Sequence, residues 1–213
     1  MNKAIRAVPS VYAEGRKKMS LKEYLQLPEG PPYYEYEDGE AILMPAPHGN
    51  HQIIGGELYS LISTHLKKSR HGRVWPAINV ILPNGRHYIP DLVYLAREHL
   101  ERYLDEDGKI HGTPDLVIEI LSQNRARDEV KKFTAYQEVG VPWYWIIDPI
   151  VLTVEEYRLT PDGYLRANTV DNGEDFRPHL FEGLVINLEQ LLKDLREGEA
   201  PAEPVEGENS HAA

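Results

Sequence analysis

The most strand-like segment of this chain is Asp115-Leu-Val-Ile-Glu-Ile-Leu121. Side chains alternate between the two faces of a strand, so Glu119 would share a face with Val117 and Leu121. Glu119 is therefore a carboxylate within a run that is otherwise apolar. Burying an ionised carboxylate without compensation is costly, so we expect a partner beside Glu119. A salt bridge or a hydrogen bond would be the ordinary structural explanation.

A second carboxylate repeats this anomaly. Asp91 directly follows Pro90 inside the apolar run Tyr88-Ile-Pro-Asp-Leu-Val-Tyr-Leu95. Two carboxylates on neighbouring strands suit Mg²⁺, which takes oxygen ligands and keeps several waters. Such a metal can polarise a phosphate and acidify a bound water that attacks it. The sequence therefore predicts Asp91 and Glu119 as ligands of Mg²⁺ or Mn²⁺.

The helix predicted after Glu119 adds a candidate lysine. Asp128, Lys132 and Tyr136 are spaced by four residues and would share one helix face. Lys132 could orient the attacking water or stabilise negative charge that develops on the phosphate. The ordinary alternative is a solvated ion pair between Lys132 and Asp128.

Two further residues complete the candidate site. His51 lies near the start of a long amphipathic helix, where it could contact a phosphate, hold a water or cap the helix. Glu40 follows the turn Asp38-Gly39 and could add a third acidic group. As isolated residues, both fit structural or solvated roles better.

The order of predicted elements favours an α/β (α+β) fold, with helices packed on a mixed central sheet. Helical spacing and stop signals predict helices over residues 20–25, 51–67, 125–139 and 188–195. Strand patterns cover residues 41–44, 74–82, 88–95, 115–121, 143–147, 152–159 and 164–168, with a hairpin at 35–40 and a loop or loose helix at 97–112. We expect an N-terminal arm over residues 1–18, one domain over 19–196 and a disordered acidic tail over 197–213.

Composition limits the possible functions. The net charge of -11 argues against a nucleic-acid partner, although five glutamates after Arg196 account for part of it and leave about -6 on the body. The chain has no cysteine, which fits a reducing cytosol and excludes thiol catalysis. It shows no apolar run long enough for a bilayer, so we expect a cytoplasmic protein. Gly-rich phosphate loops, Gly-x-Ser-x-Gly elbows and His-Glu-x-x-His zinc patterns are also missing.

Several motifs, in order over about residues 20 to 150, resemble the Uma-two (Uma2) family of restriction-endonuclease-like proteins in the PD-(D/E)XK nuclease superfamily. The matching motifs are Tyr36-Glu-Asp-Gly-Glu40, Met44-Pro-Ala-Pro47, His51-Gln52, Pro90-Asp91-Leu-Val93, Pro114-Asp-Leu-Val-Ile-Glu-Ile-Leu-Ser122, Lys132 and Gly140-Val-Pro-Trp-Tyr-Trp145. The resemblance implies a restriction-endonuclease-like core and Mg²⁺-type phosphodiester hydrolysis, with Asp91 as motif aspartate and Glu119 as motif glutamate.

The motif lysine of the superfamily lies two residues after the acid, where this chain has Leu121. The resemblance implies that the lysine has moved to the following helix, and Lys132 fits by spacing. Replacing Lys132 with alanine is then expected to remove activity and spare the fold.

Three functions are compatible with these residues. The first is a DNA endonuclease, commonly a homodimer when both strands are cut. The second is a nuclease-derived module that binds nucleic acid or a protein partner without efficient cleavage. The third is a hydrolase with two carboxylates as general acid and base, as in glycosidases. That chemistry does not call for a lysine, so it is the weakest of the three.

Overall fold

A computed structural model of the chain describes residues 15–28, 30–44, 49–121 and 127–198, with only the backbone of 127–129 and 194–198. Within these ranges the strands, in chain order, are β1 Arg16–Lys18, β2 Tyr34–Glu37, β3 Glu40–Leu43, β4 Gly72–Pro76, β5 Val80–Ile81, β6 His87–Tyr88, β7 Leu92–Ala96, β8 Ile110–His111, β9 Leu116–Ile120, β10 Trp143–Asp148, β11 Thr153–Thr160 and β12 Gly163–Val170. The helices are α1 Leu21–Tyr24, α2 Gly49–Ser69, α3 Leu100–Tyr103, α4 Phe133–Val139 and α5 Leu188–Gly198. A 3₁₀ turn, Arg97–His99, precedes α3, and a π-helical turn, Arg127–Lys132, precedes α4.

The strands form two mixed sheets of six strands each. The main sheet has the order β12-β11-β10-β9-β7-β4, and the small sheet has the order β1-β3-β2-β6-β5-β8. In the main sheet β9 runs parallel to β10 and antiparallel to β7. The prediction of an α/β fold with a mixed sheet and helices is confirmed, and the second sheet is an addition that the sequence pattern did not indicate.

Strand β9 lies inside the main sheet with both faces buried, which explains its almost continuous apolar sequence. Ile118 and Ile120 face one core, which also contains Ile54 and Leu58 of α2. Val117 faces a second core on the other side of the sheet, together with residues of α4 and the small sheet. Glu119 lies on this second face by strand alternation.

The strands predicted over 74–82 and 88–95 are wrong as single strands, because each divides between the two sheets. The first run leaves the main sheet at Ala77, whose φ of 45° is outside the strand region. The second run breaks at Pro90, which has no N–H to donate to a ladder. At this double crossing the Ala77 amide donates to the Asp91 carbonyl at 3.1 Å. Asp91 therefore lies where the chain enters the main sheet.

Local sequence signals define several element ends. The capping box of Ser20 and Glu23 opens α1, as the spacing predicted. Asp38 and Gly39 both have positive φ, as a tight turn between β2 and β3 requires. The segment predicted as a loop or loose helix over 97–112 contains α3 and β8. The last three residues of the predicted N-terminal arm form β1, which pairs with β3. Most of the predicted arm and acidic tail lie outside the described residues.

No helix in the described part of the chain is long and apolar enough to cross a membrane.

Gly72 begins β4, and its replacement should damage the main sheet. Its φ is +149°, and an added Cβ would lie 2.1 Å from the Leu95 carbonyl oxygen. We expect Gly72→Ala to lower the free energy of unfolding by about 2–4 kcal/mol through backbone strain and overpacking. Urea denaturation followed by circular dichroism measures this change.

Gly56 provides the matched control, since it lies within α2 and an added Cβ would meet nothing within 4 Å. Gly56→Ala should raise the free energy of unfolding by roughly 0.5–1 kcal/mol, because alanine loses less backbone entropy in a helix. Equal effects of the two substitutions would contradict the tight approach at Gly72.

Candidate functional site

Strand register brings Asp91 and Glu119 to the same end of the main sheet. The pairing of β7 with β9 ends at Leu92 and Ile118. Continuing the same register by one residue places Asp91 opposite Glu119. The Asp91 side chain is fixed there because its Oδ2 accepts a hydrogen bond of 2.7 Å from the Ile120 amide. The two carboxylates predicted as a pair are thus neighbours across adjacent strands.

The Glu119 carboxylate is almost fully buried, with 3% of its surface exposed. Its Oε1 accepts hydrogen bonds from the Lys132 ammonium at 2.9 Å and from the Tyr136 hydroxyl at 2.8 Å. Lys132 and Tyr136 are one helical turn apart, so they reach the same oxygen from one face. Burial and the nearby Glu119 charge raise the pKa of Tyr136 well above its ordinary value, so this hydroxyl stays protonated and donates.

Lys132 is itself buried, with 1% of its surface exposed. Its Nζ lies 3.1 Å from Glu35 Oε1 and 5.6 Å from the centre of the Tyr88 ring. The alternative of a solvated ion pair therefore does not describe this lysine, although the Asp128 side chain lies outside the described residues. Lys132 links two buried carboxylates and does not face bulk solvent.

Glu35 is a site residue that sequence reasoning missed. It lies in β2, is fully buried, and accepts a hydrogen bond of 2.8 Å from the Ile89 amide. Glu35 and Glu37 are two residues apart and share one strand face, but strand alternation alone does not indicate that this face is buried. Glu37 is also buried and accepts a hydrogen bond from the Tyr88 hydroxyl at 2.9 Å. Two acids on the buried face of a hairpin indicate a charged cluster beneath it.

The other two predicted residues have different surroundings. His51, in the first turn of α2, places its Nε2 3.2 Å from Asp91 Oδ1, so it adjoins the carboxylate pair. Glu40 begins β3 and forms a partly exposed ion pair with Arg16 at 3.7 Å. Glu35, and not the predicted Glu40, is therefore the hairpin acid paired with Lys132.

The residues present fit a hard divalent cation at this end of the main sheet. Asp91 and Glu119 supply carboxylate oxygens, the donor type that Mg²⁺ and Mn²⁺ prefer. Glu35 and Glu119 share the Lys132 ammonium, and Asp91 lies opposite Glu119 on the neighbouring strand, close to the histidine His51.

A second group of possible metal ligands lies in the loop before β8. Among the described residues, Asp105, Asp107 and His111 have ligand atoms within 4.8 Å of one another. The two aspartates are exposed, and His111 Nε2 lies 3.0 Å from Asp107 Oδ2. Exposed acids of this kind are common without a metal, and these residues are separate from the Asp91 and Glu119 pair.

The chain is similar to one protein family and to a solved structure. A family model described as "Uma2: Putative restriction endonuclease" matches residues 21–189. A crystal structure described as a "putative nuclease belonging to DUF820", from Anabaena variabilis, is 27% identical, with a TM-score of 0.65. The match covers 82% of this chain and 98% of that one. No protein with a curated function is similar enough in sequence to count as a relative. Because the family model spans most of the sequence, the chain belongs to the Uma2 family, whose members are described as restriction-endonuclease-like nucleases.

Proposed function

We propose that this protein is an endonuclease that hydrolyses phosphodiester bonds in DNA with Mg²⁺ or Mn²⁺, held by Asp91 and Glu119. The observation that supports this most directly is the pairing of the two carboxylates across β7 and β9, beside the buried Lys132. The family description and the similar structure, which is described as a nuclease, support the same reaction class.

Each residue of the cluster has a definite role in this proposal. A bound divalent cation would supply Lewis-acid polarisation of the phosphate and acidification of a water. Asp91, with about a quarter of its side chain exposed, is the carboxylate that substrate can approach. His51 lies beside it and can hold a water or contact a phosphate oxygen.

Lys132 acts as a positioning residue in this proposal. Because it is buried between Glu35 and Glu119, its ammonium fixes the orientation of the Glu119 carboxylate. Tyr136 restrains the same Glu119 oxygen from the next helical turn. This role differs from the direct contact with phosphate that the sequence had suggested.

The second candidate function is a nuclease-fold module that binds nucleic acid or a protein partner with little or no cleavage. The buried Lys132 and the net charge of -11 favour it, because both reduce the positive charge available to substrate. Nucleic-acid binding that persists in chelator, without cleavage, would identify this alternative. A homodimer and a cytoplasmic location stay predictions from sequence.

Asp91→Asn tests the proposed metal site. The asparagine amide oxygen can still accept from the Ile120 amide, while the negative charge is lost. We expect cleavage of plasmid DNA in Mg²⁺ or Mn²⁺ to fall by more than about 100-fold, the upper range for the loss of an outer-shell partner. Cleavage by the wild type should also stop in chelator and return when metal is restored.

Glu40→Gln is the matched control, because it makes the same chemical change in the hairpin acid that pairs with Arg16. Its cleavage rate should stay within about twofold of wild type, since a partly exposed ion pair contributes little. Wild-type cleavage by Asp91→Asn would exclude Asp91 as a ligand. A well-folded wild type that cuts neither plasmid nor single-stranded DNA would favour the binding module.

Lys132→Met tests the buried charge cluster. It leaves the Glu35 and Glu119 carboxylates buried without their shared ammonium, so the free energy of unfolding should fall by about 3–5 kcal/mol. The sequence alone predicts that the fold survives truncation of Lys132, whereas the burial of Lys132 predicts a loss of stability. Chemical denaturation of the purified variant measures the loss.

The double variant Lys132→Met/Glu35→Gln separates stability from catalysis. It should recover part of the lost stability, because one of the two buried negative charges is also removed. Its cleavage should remain impaired, because Glu119 still lacks the ammonium that orients its carboxylate. A loss below about 1 kcal/mol for Lys132→Met would show that the cluster is hydrated like a surface pair.

A further inference from the structure

A group of exposed cations surrounds one end of β4, away from the proposed cleavage site. We name this surface the basic edge, and its members are Lys67, Lys68, Arg70, Arg73 and Arg97. Four of the five fall within residues 67–73, a stretch without an acidic residue in a chain of net charge -11. Such a local excess of positive charge needs its own explanation.

The backbone holds these residues together. Helix α2 ends at Ser69, and the Arg70 amide donates to the Leu66 carbonyl at 2.8 Å with Arg70 at φ 57°. The chain then reverses into β4, which is the outer strand of the main sheet. The Arg97 amide donates to the His71 carbonyl at 3.0 Å, which places Arg97 beside the α2–β4 connection. Arg70, Arg73 and Arg97 therefore lie around the α2–β4 connection, and Lys67 and Lys68 lie in the helical turn that leads into it.

Ordinary structural roles account for only part of the basic edge. Lys67 and Lys68 lie in the last turn of α2, where cations stabilise the helix dipole. Arg70, Arg73 and Arg97 lie outside that helix. Within the described residues, the side chains of the basic edge form no ion pair, and the nearest acid along the chain is Glu98, next to Arg97. The arginines are thus available to an external anion.

Strand geometry relates the basic edge to the carboxylate pair. Arg73 pairs with Leu95, which faces the same core as Val117 and therefore the same side of the main sheet as Glu119. Along β4, Arg73 precedes Ala77 by four residues, and the Ala77 amide donates to the Asp91 carbonyl. Four strand residues span about 13 Å. For a duplex whose axis follows β4, this length corresponds to about four base pairs, at a rise of roughly 3.4 Å each along the axis.

We propose that the basic edge binds the phosphate backbone of duplex DNA about four base pairs from the phosphate beside Asp91. The placement rests on the proposed endonuclease function, whereas the binding itself needs neither metal nor cleavage. Arginine forks pair well with phosphate oxygens, and contacts of this kind fix the register of a protein on the duplex without reading sequence. The basic edge would thus position the substrate.

The experiment measures binding in chelator, so that cleavage plays no part. The full chain is titrated into a fluorescein-labelled 20-base-pair duplex, and fluorescence anisotropy is recorded at several salt concentrations between 50 and 200 mM. The variant is Arg73→Gln/Arg97→Gln, which neutralises two exposed arginines. The matched control is Arg158→Gln, an exposed arginine on β11, four strands across the main sheet.

Each lost phosphate contact should reduce the slope of log affinity against log salt by about 0.9 and weaken binding about 5- to 10-fold near 0.1 M salt. The double variant should therefore bind about 25- to 100-fold more weakly than wild type, with the Arg158→Gln control unchanged. Thermal unfolding should be the same for all three proteins, since the replaced side chains are exposed.

Three results would overturn the proposal. They are absence of duplex binding by wild type, equal affinity and salt slope in wild type and the double variant, and equal losses in the double variant and the Arg158→Gln control. Tighter binding to single-stranded RNA of the same length would overturn the assignment to duplex DNA. If wild type does not cleave but the double variant loses binding as expected, the endonuclease proposal fails and the basic edge stands.

Discussion

The buried ammonium of Lys132 joins parts of the chain that are far apart in sequence. Glu35 comes from the small sheet, Glu119 from the main sheet, and Lys132 from the turn that leads into α4. Removing three charged groups from water is expensive, and the cost is offset only when their geometry is well satisfied. Because each carboxylate is fixed within a strand, the lysine restrains how the two sheets meet. The end of β9 that carries Glu119 is consequently held in one arrangement.

The same interaction gives Glu119 a cationic partner although β9 carries no lysine. Leu121 lies two residues after Glu119 and packs into the second core, so the strand supplies no cation. The lysine comes instead from a π-helical turn, a distortion that is frequent at functional sites because it changes the direction of side chains. Tyr136 follows one turn later and donates to the oxygen that Lys132 also contacts. Preorganisation of Glu119 thus comes from a helix packed on its strand.

Local sequence patterns predict much of the fold and part of the candidate site. The apolar run around Glu119, the spacing in α2 and the acid after Pro90 each depend on short stretches, and they indicated β9, the long helix and Asp91. Glu35 and the division of two predicted strands between sheets depend on distant partners. Glu35 contacts the Ile89 amide 54 residues away, and no local pattern reports that contact. Sequence reasoning selected Glu40 because it follows the hairpin turn, whereas the cluster uses Glu35, whose burial only the second sheet produces.

Charge is the remaining constraint, because the carboxylates that suit a cation also repel the phosphates of a substrate. The net charge of the chain does not decide this balance, since interactions between exposed charges fade beyond a Debye length of about 10 Å at 0.1 M salt. Local clusters of charge therefore determine where a polyanion is held. Arg73 of the basic edge is about 13 Å along the chain from Ala77, whose amide contacts the Asp91 carbonyl, and this length exceeds the Debye length. In the proposed arrangement, this separation lets an acidic chain hold a cation at the carboxylates and a phosphate backbone at the basic edge.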